Sequence, residues 1–228
     1  AALMHTPAFR FHSPLAKALS LCSVLSVLTF SAAPVLAADT AAAMVYSIAS
    51  AKAVESLLLD VAHAGARLVA VGDRGHILYS DDQGVSWVQA KVPTRQMLTS
   101  VFFVDDKKGW ATGHDALILA TEDGGMTWTQ QFVDLEREAP LLDIWFKNAE
   151  QGFAVGAYGA LLETTDGGAN WEDVSDRLDN EDQHHLNAIT EVKDSGLFAV
   201  GEMGGMYRSS DWGQTWETIE GPYEGSLF

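Results

Sequence analysis

From position 56 onward, apolar residues alternate with polar ones or gather in short bursts bounded by glycine, aspartate or serine, the period of strands rather than of helices. The clearest stretch predicts strands at 98–104, 109–112, 116–120 and 128–132. The same order returns at 141–146, 153–155, 161–163 and 171–174, and again at 186–192, 197–200, 206–208 and 216–219. Segments 72–87, 113–128, 156–171 and 201–216 align without a gap and close on Trp87, Trp128, Trp171 and Trp216, which lie 41, 43 and 45 residues apart. A four-stranded antiparallel unit repeated every 40 to 45 residues or so is the blade of a β-propeller. The expected fold is therefore all-β, with blades at 56–92, 97–133, 140–175 and 185–220.

The hairpin between third and fourth strands carries Ser/Thr-x-Asp-x-Gly-x-Ser/Thr/Asn-Trp four times. The copies are Ser80, Asp82, Gly84 and Trp87; Thr121, Asp123, Gly125 and Trp128; Thr164, Asp166, Gly168 and Trp171; and Ser209, Asp211, Gly213 and Trp216. In such a turn the aspartate accepts backbone N–H groups about two residues on, the glycine supplies a positive φ, and the hydroxyls close the remaining donors. The tryptophan folds back on the sheet with its N–H free to find a carbonyl. The four aspartates are thus read as turn fasteners. Successive blades would set them too far apart around a rim for two of them to share a substrate.

The N-terminus reads differently. Arg10 and Lys17 precede a 12-residue, mostly apolar run at 19–30, which Pro34 and the small residues up to Ala38 follow. The run is short for a membrane span and has the form of an export signal, so 1–38 is expected to be a cleaved signal peptide and 39–55 a lead-in segment. The chain would then be exported, to a periplasm or an equivalent lumen, with no membrane insertion after cleavage. Its one cysteine, Cys22, sits inside the apolar run behind Leu21, so it is not placed as a lipoprotein cysteine. The mature chain would carry no thiol for disulfides, catalysis or metal binding. With 14 basic against 31 acidic residues and a net charge of −17, nucleic acid and anionic membrane surfaces are poor partners. A basic partner, or simple solubility in a crowded compartment, suits so acidic a chain.

In a propeller the loops between second and third strands share a face with the blade-to-blade connections, and recognition is placed there. Arg74, Arg95, His114, Arg137 and Tyr158 are the candidate partner contacts, since Arg and Tyr dominate interface energetics. His184 and His185, beside Asp179, Glu181 and Asp182, have neither the spacing of a zinc pair nor that of a calcium loop, so no metal and no cofactor is expected.

The four-fold turn pattern is that of Asp-box, or BNR, repeats, found in sialidases, sortilin-type receptors, xyloglucanases and photosystem II assembly factors. The run 152–172, GFAVGAYGALLETTDGGANWE, together with Val69-Ala70-Val71-Gly72 and Phe198-Ala199-Val200-Gly201, resembles most closely the blade of the photosystem II stability/assembly factors. That resemblance covers about 56–220. It implies a non-enzymatic, exported, seven-bladed propeller that holds a partner polypeptide while a membrane complex is assembled, in the thylakoid lumen where the organism is photosynthetic. A glycoside hydrolase of the sialidase-like class is the alternative; its Arg-Ile-Pro entry motif is absent and the arginines are scattered, although Tyr158 and Arg74 would be the residues to watch. A generic extracytoplasmic interaction propeller is the third reading. The residues at 226–228 recur at the spacing of a new blade, so a fifth, truncated blade is expected, with a closed four-bladed ring as the rival architecture.

Overall fold

A computed structural model describes residues 44–228. The expected signal peptide at 1–38 lies outside the described residues. So does the start of the lead-in. From Met44 the lead-in runs beside the first blade as coil, with one 3-10 turn at Ala53–Glu55.

Four sheets follow, each of four strands in sequence order. Blade 1 is β1 (Leu58–Ala64), β2 (Arg67–Gly72), β3 (Ile77–Ser80) and β4 (Val88–Gln89). Blade 2 is β5 (Leu98–Phe103), β6 (Gly109–Gly113), β7 (Ile118–Thr121) and β8 (Thr129–Phe132). Blade 3 is β9 (Leu141–Phe146), β10 (Gly152–Gly156), β11 (Leu161–Thr164) and β12 (Glu172–Asp173). Blade 4 is β13 (Leu186–Val192), β14 (Gly196–Gly201), β15 (Met206–Ser209) and β16 (Glu217–Thr218). Every pairing is antiparallel. The fourth strands are shorter than the sequence pattern predicts. Trp128, Trp171 and Trp216 stand just before them. Residues 226–228 form no strand: Leu227 donates its N–H to the Gly201 carbonyl and the segment lies as coil against blade 4.

The apolar core lies between consecutive sheets. Val69, Val71, Leu98, Val101 and Leu119 fill the seam of blades 1 and 2; Trp110, Ile118, Ile144 and Leu162 that of blades 2 and 3; Phe153, Leu161, Ile189 and Ala199 that of blades 3 and 4. The first strands β1, β5, β9 and β13 pack one on the next, whereas β1 and β13 do not meet as neighbours do. The four blades therefore form an arc, not the closed ring considered as a rival. Val101, Ile144 and Ile189, at equivalent positions in β5, β9 and β13, are each buried against the preceding blade. Their counterpart Val61 is 57% exposed, since among the described residues no further sheet packs on that side of blade 1.

Candidate functional site

Two sets of turns shape the blade rims, one at each end of the strands. In the third-to-fourth-strand turn of blade 1, the Ser80 hydroxyl accepts Gly84 N–H at 2.8 Å and donates to Asp82 Oδ1 at 2.8 Å. Asp82 accepts the N–H and hydroxyl of Ser86 at 2.8 and 2.6 Å. The carboxylate thus reaches four residues on, not two, because the αL pair Gln83–Gly84 carries the chain further around before it returns. Asp123, Asp166 and Asp211 make the same bonds to Thr127, Asn170 and Thr215. The turn glycines Gly84, Gly125, Gly168 and Gly213 all sit at φ between +85° and +91°.

These bonds stabilise the ionised carboxylates. Donation from Ser86 and Thr215 holds Asp82 and Asp211 down at about 2. Asn170 likewise lowers Asp166, and at Asp123 burial pulls the other way but is outweighed by Thr127 and Thr121. Each carboxylate is thus engaged by at least three donors of its own turn, as a turn fastener requires. Among the described residues no hydrogen bond links the carboxylate of one turn to that of another.

Carbonyls of the later turns also tie blades together. Gly124 O accepts Arg67 of blade 1 at 3.0 Å, Gly167 O accepts the Trp110 indole N–H of blade 2 at 3.2 Å, and Gly213 O accepts Arg177, from the segment after blade 3, at 2.9 Å. The Trp87 and Trp128 indoles close on Gly84 O and Gly125 O, at 3.1 and 3.0 Å. Those of Trp171 and Trp216 find no acceptor.

At the opposite end, the second-to-third-strand connections are type I′ turns. Hydrogen bonds close Asp73–His76, His114–Leu117, Ala157–Ala160 and Glu202–Gly205, and both central residues of each have positive φ. The first central position is where Asn or Gly costs least, yet Arg74, Asp115, Tyr158 and Met203 occupy it at φ between 52° and 60°. Such residues in αL cost on the order of 1 kcal/mol each. Tyr158 and Met203 are 61% and 64% exposed, so core packing does not account for the strain. This regularity is invisible to a Gly/Asn turn rule and emerges only from the dihedrals.

A groove of about 480 Å³ opens between the tops of blades 1 and 2. Leu117, Val133, Leu135, Pro93 and the lead-in residues Met44 and Val45 give it an apolar lining, and Arg95, Gln96, His114 and Asp115 supply polar groups. Gln96 holds Asp115 through its side-chain amide. Arg95 also borders a second depression, of about 290 Å³, with Arg74, His76 and Ile48. Its Nε donates to Tyr46 O at 2.9 Å. Among the described residues Arg95 is the one arginine with no carboxylate at ion-pair distance: Arg67, Arg74, Arg137, Arg177 and Arg208 are each paired.

Arg74, Arg95 and His114 thus come together along one stretch of rim. Arg137 is consumed by Asp134 and Asp173, the latter the closer. Tyr158 borders a separate depression with Asn180 and Gln183 and meets the His185 ring edge-on. Arg74 and Tyr158, the pair a sialidase-like site would need together, line different depressions. Among the described residues no three His, Cys, Asp or Glu side chains converge as a metal site. Met44, Val45 and Tyr46 were missed from sequence, since the lead-in carries no strand or helix pattern; their apolar character within an Ala-rich stretch was the available signal.

Comparison with known proteins decides the family. The model of photosynthesis system II assembly factor YCF48 matches residues 79–139 and 130–222, well over half the chain. The chain belongs to the YCF48 family. The photosystem II stability/assembly factor HCF136, chloroplastic, of Cyanidioschyzon merolae is 40% identical over 62 residues, 26% of this chain and 14% of that protein. A solved structure of YCF48 bound to D1 peptide superposes with a TM-score of 0.56 at 23% identity, over 71% of this chain and 53% of that one. An ancestral GH74 enzyme superposes at 0.59 with 15% identity, over 73% of this chain and 24% of that one. At those identities both structures establish the shared propeller fold. This YCF48-family chain spans about half of the YCF48 structure it matches. Among its described residues no helix is long and apolar enough to cross a membrane.

Proposed function

We propose that this chain is an exported, non-catalytic assembly factor that holds a polypeptide segment of a membrane-complex subunit in the groove between the tops of blades 1 and 2. The single observation that carries this reading is Arg95, a guanidinium with no carboxylate partner among the described residues, beside an apolar groove in a chain of net charge −17. An unpaired arginine at such a place suits a carboxylate on an otherwise apolar peptide. Arg74 and His114 flank it, and the exposed αL side chains extend the same rim. The YCF48 relative solved with a D1 peptide supports a polypeptide partner, and the family supports a role in photosystem II assembly. The signal-like N-terminus supports export to a periplasm or thylakoid lumen.

The test is a titration of the chain with a fluorescent D1 peptide. Arg95→Glu is expected to weaken binding by 30-fold or so, the loss of a hot-spot arginine, while Arg137→Ala, whose guanidinium is already neutralised, changes it by less than about threefold. Equal binding by Arg95→Glu and the unmodified chain would overturn the reading. So would turnover of xyloglucan or a sialoside, which places the chain with the enzymes that share its fold.

A further inference from the structure

The first strands of the blades carry a polar contact that the function above does not use. Asp60 on β1, Ser100 on β5 and Asp143 on β9 occupy equivalent positions, each just past a register shift or at the paired site of one. All four carboxyl oxygens already accept a backbone N–H. Val61 and Val101 donate to Asp60 Oδ1 and Oδ2, and Ile144 and Ile189 to Asp143 Oδ1 and Oδ2, all at 2.8 Å. Ser100, buried, places its hydroxyl oxygen 3.0 Å from Asp60 Oδ2 and 2.8 Å from Asp143 Oδ1.

A serine hydroxyl carries one hydrogen and can donate it to only one of the two carboxyls. The second contact needs a hydrogen from the other side. We propose that Asp60, Ser100 and Asp143 hold one proton between the two carboxyls, a single-proton clasp that ties together the inner edges of the first three blades. In this arrangement Asp143 Oδ1–H donates to Ser100 Oγ, and Ser100 Oγ–H donates to Asp60 Oδ2. The amide donated by Ile189 extends the clasp to blade 4, where Ala188 stands at the equivalent position and adds no further carboxyl.

The surroundings favour this assignment. Desolvation raises Asp143, against the hydrogen bonds from Ile189, Ser100 and Ile144, and the Asp60 carboxylate raises it further. Among the described residues no cationic side chain bonds to either carboxyl. The remaining titratable side chains on the elements packed there are His63 on β1, Glu191 on β13, Tyr158, the mutually paired Asp73 and Arg74, and Arg67, which is held by Asp81; none bonds to either carboxyl.

The sign follows from linkage. A carboxyl raised in the folded state adds stability that is complete below the unfolded value, about 3.9, and is lost as pH rises through the folded value. The turn aspartates act in the opposite sense and only below about pH 4, so a window of about pH 5 to 9 isolates the clasp.

The experiment is denaturant unfolding of the full chain and of Asp143→Asn across that window, with infrared spectra of the unmodified chain. An asparagine amide can donate to Ser100 without a titrating proton. The expected result is a midpoint that falls with rising pH in the unmodified chain and a flatter profile in Asp143→Asn; the histidines, common to both, cancel. The infrared spectrum should show one protonated carboxyl stretch at pH 5 that shifts in heavy water and vanishes in alkali, a readout that survives even if the variant fails to fold. Parallel pH profiles, or no protonated carboxyl band at pH 5, would overturn the proposal. Stabilisation by calcium of the unmodified chain but not of Asp143→Asn would also overturn it, by showing that a cation and not a proton balances the pair.

Discussion

Replacement of Trp110 by alanine is expected to cost about 4 kcal/mol, within the range for emptying a fully buried tryptophan site. Trp110 has no exposed surface, stacks face to face on Phe146 of the next blade with centroids 3.4 Å apart, and donates its indole N–H to Gly167 O at 3.2 Å. Alanine loses all three interactions, and the seam between blades 2 and 3 is left with a cavity that the ladders on either side keep open. Domains of this size carry about 5–15 kcal/mol in total, so the variant should sit close to unfolding at 37 °C. Guanidinium titration measures the loss. Trp87→Ala, at a half-buried ring, serves as comparison and should cost less than half as much. Equal costs for the two would mean that the seams do not carry the stability.

The second large effect is expected at Arg177. Its guanidinium bonds Glu163 Oε2 at 2.7 Å and Gly213 O at 2.9 Å, joining the edge of blade 3 to the turn of blade 4. Glu163 is 6% exposed, and its other oxygen has no partner at all. Arg177→Ala leaves a buried, uncompensated carboxylate, for which about 3 kcal/mol is the usual cost. Arg177→Ala combined with Glu163→Gln should recover a large part of that loss, because the stranded charge is gone. Urea midpoints of the two variants decide the matter. A double variant no more stable than the single one would show that packing of the arginine stem, not the charge, was lost.

The blade was legible in the sequence because every feature that defines it is local. Gly125 and Asp123 lie in one hairpin, and the alternation in 98–104 is read within seven positions. The contacts that close the arc are not local. Arg67 reaches a turn 57 residues away, and Ser100 meets carboxyls 40 and 43 residues off on either side. Nothing in the residues around Arg137 announces that Asp173 neutralises it, so its choice as a partner contact came from residue type alone. Arg74, Arg95 and His114 were legible as rim positions from loop topology, but that Arg95, alone among the described arginines, lacks a carboxylate is a property of the folded chain. The lead-in wall of the groove was hidden for a different reason. Met44 and Val45 line it because the lead-in lies beside blade 1, where Ser47 N–H meets Val92 O at 2.9 Å.

Hydrogen exchange of the full chain with and without the D1 peptide tests the site most directly, because it reads location instead of affinity. Slowed exchange is predicted at 93–96 and 114–117 and in the lead-in beside them, with the Asp82, Asp123, Asp166 and Asp211 turns unchanged. Protection confined to those aspartate turns, with none along the Arg95 rim, would contradict the account.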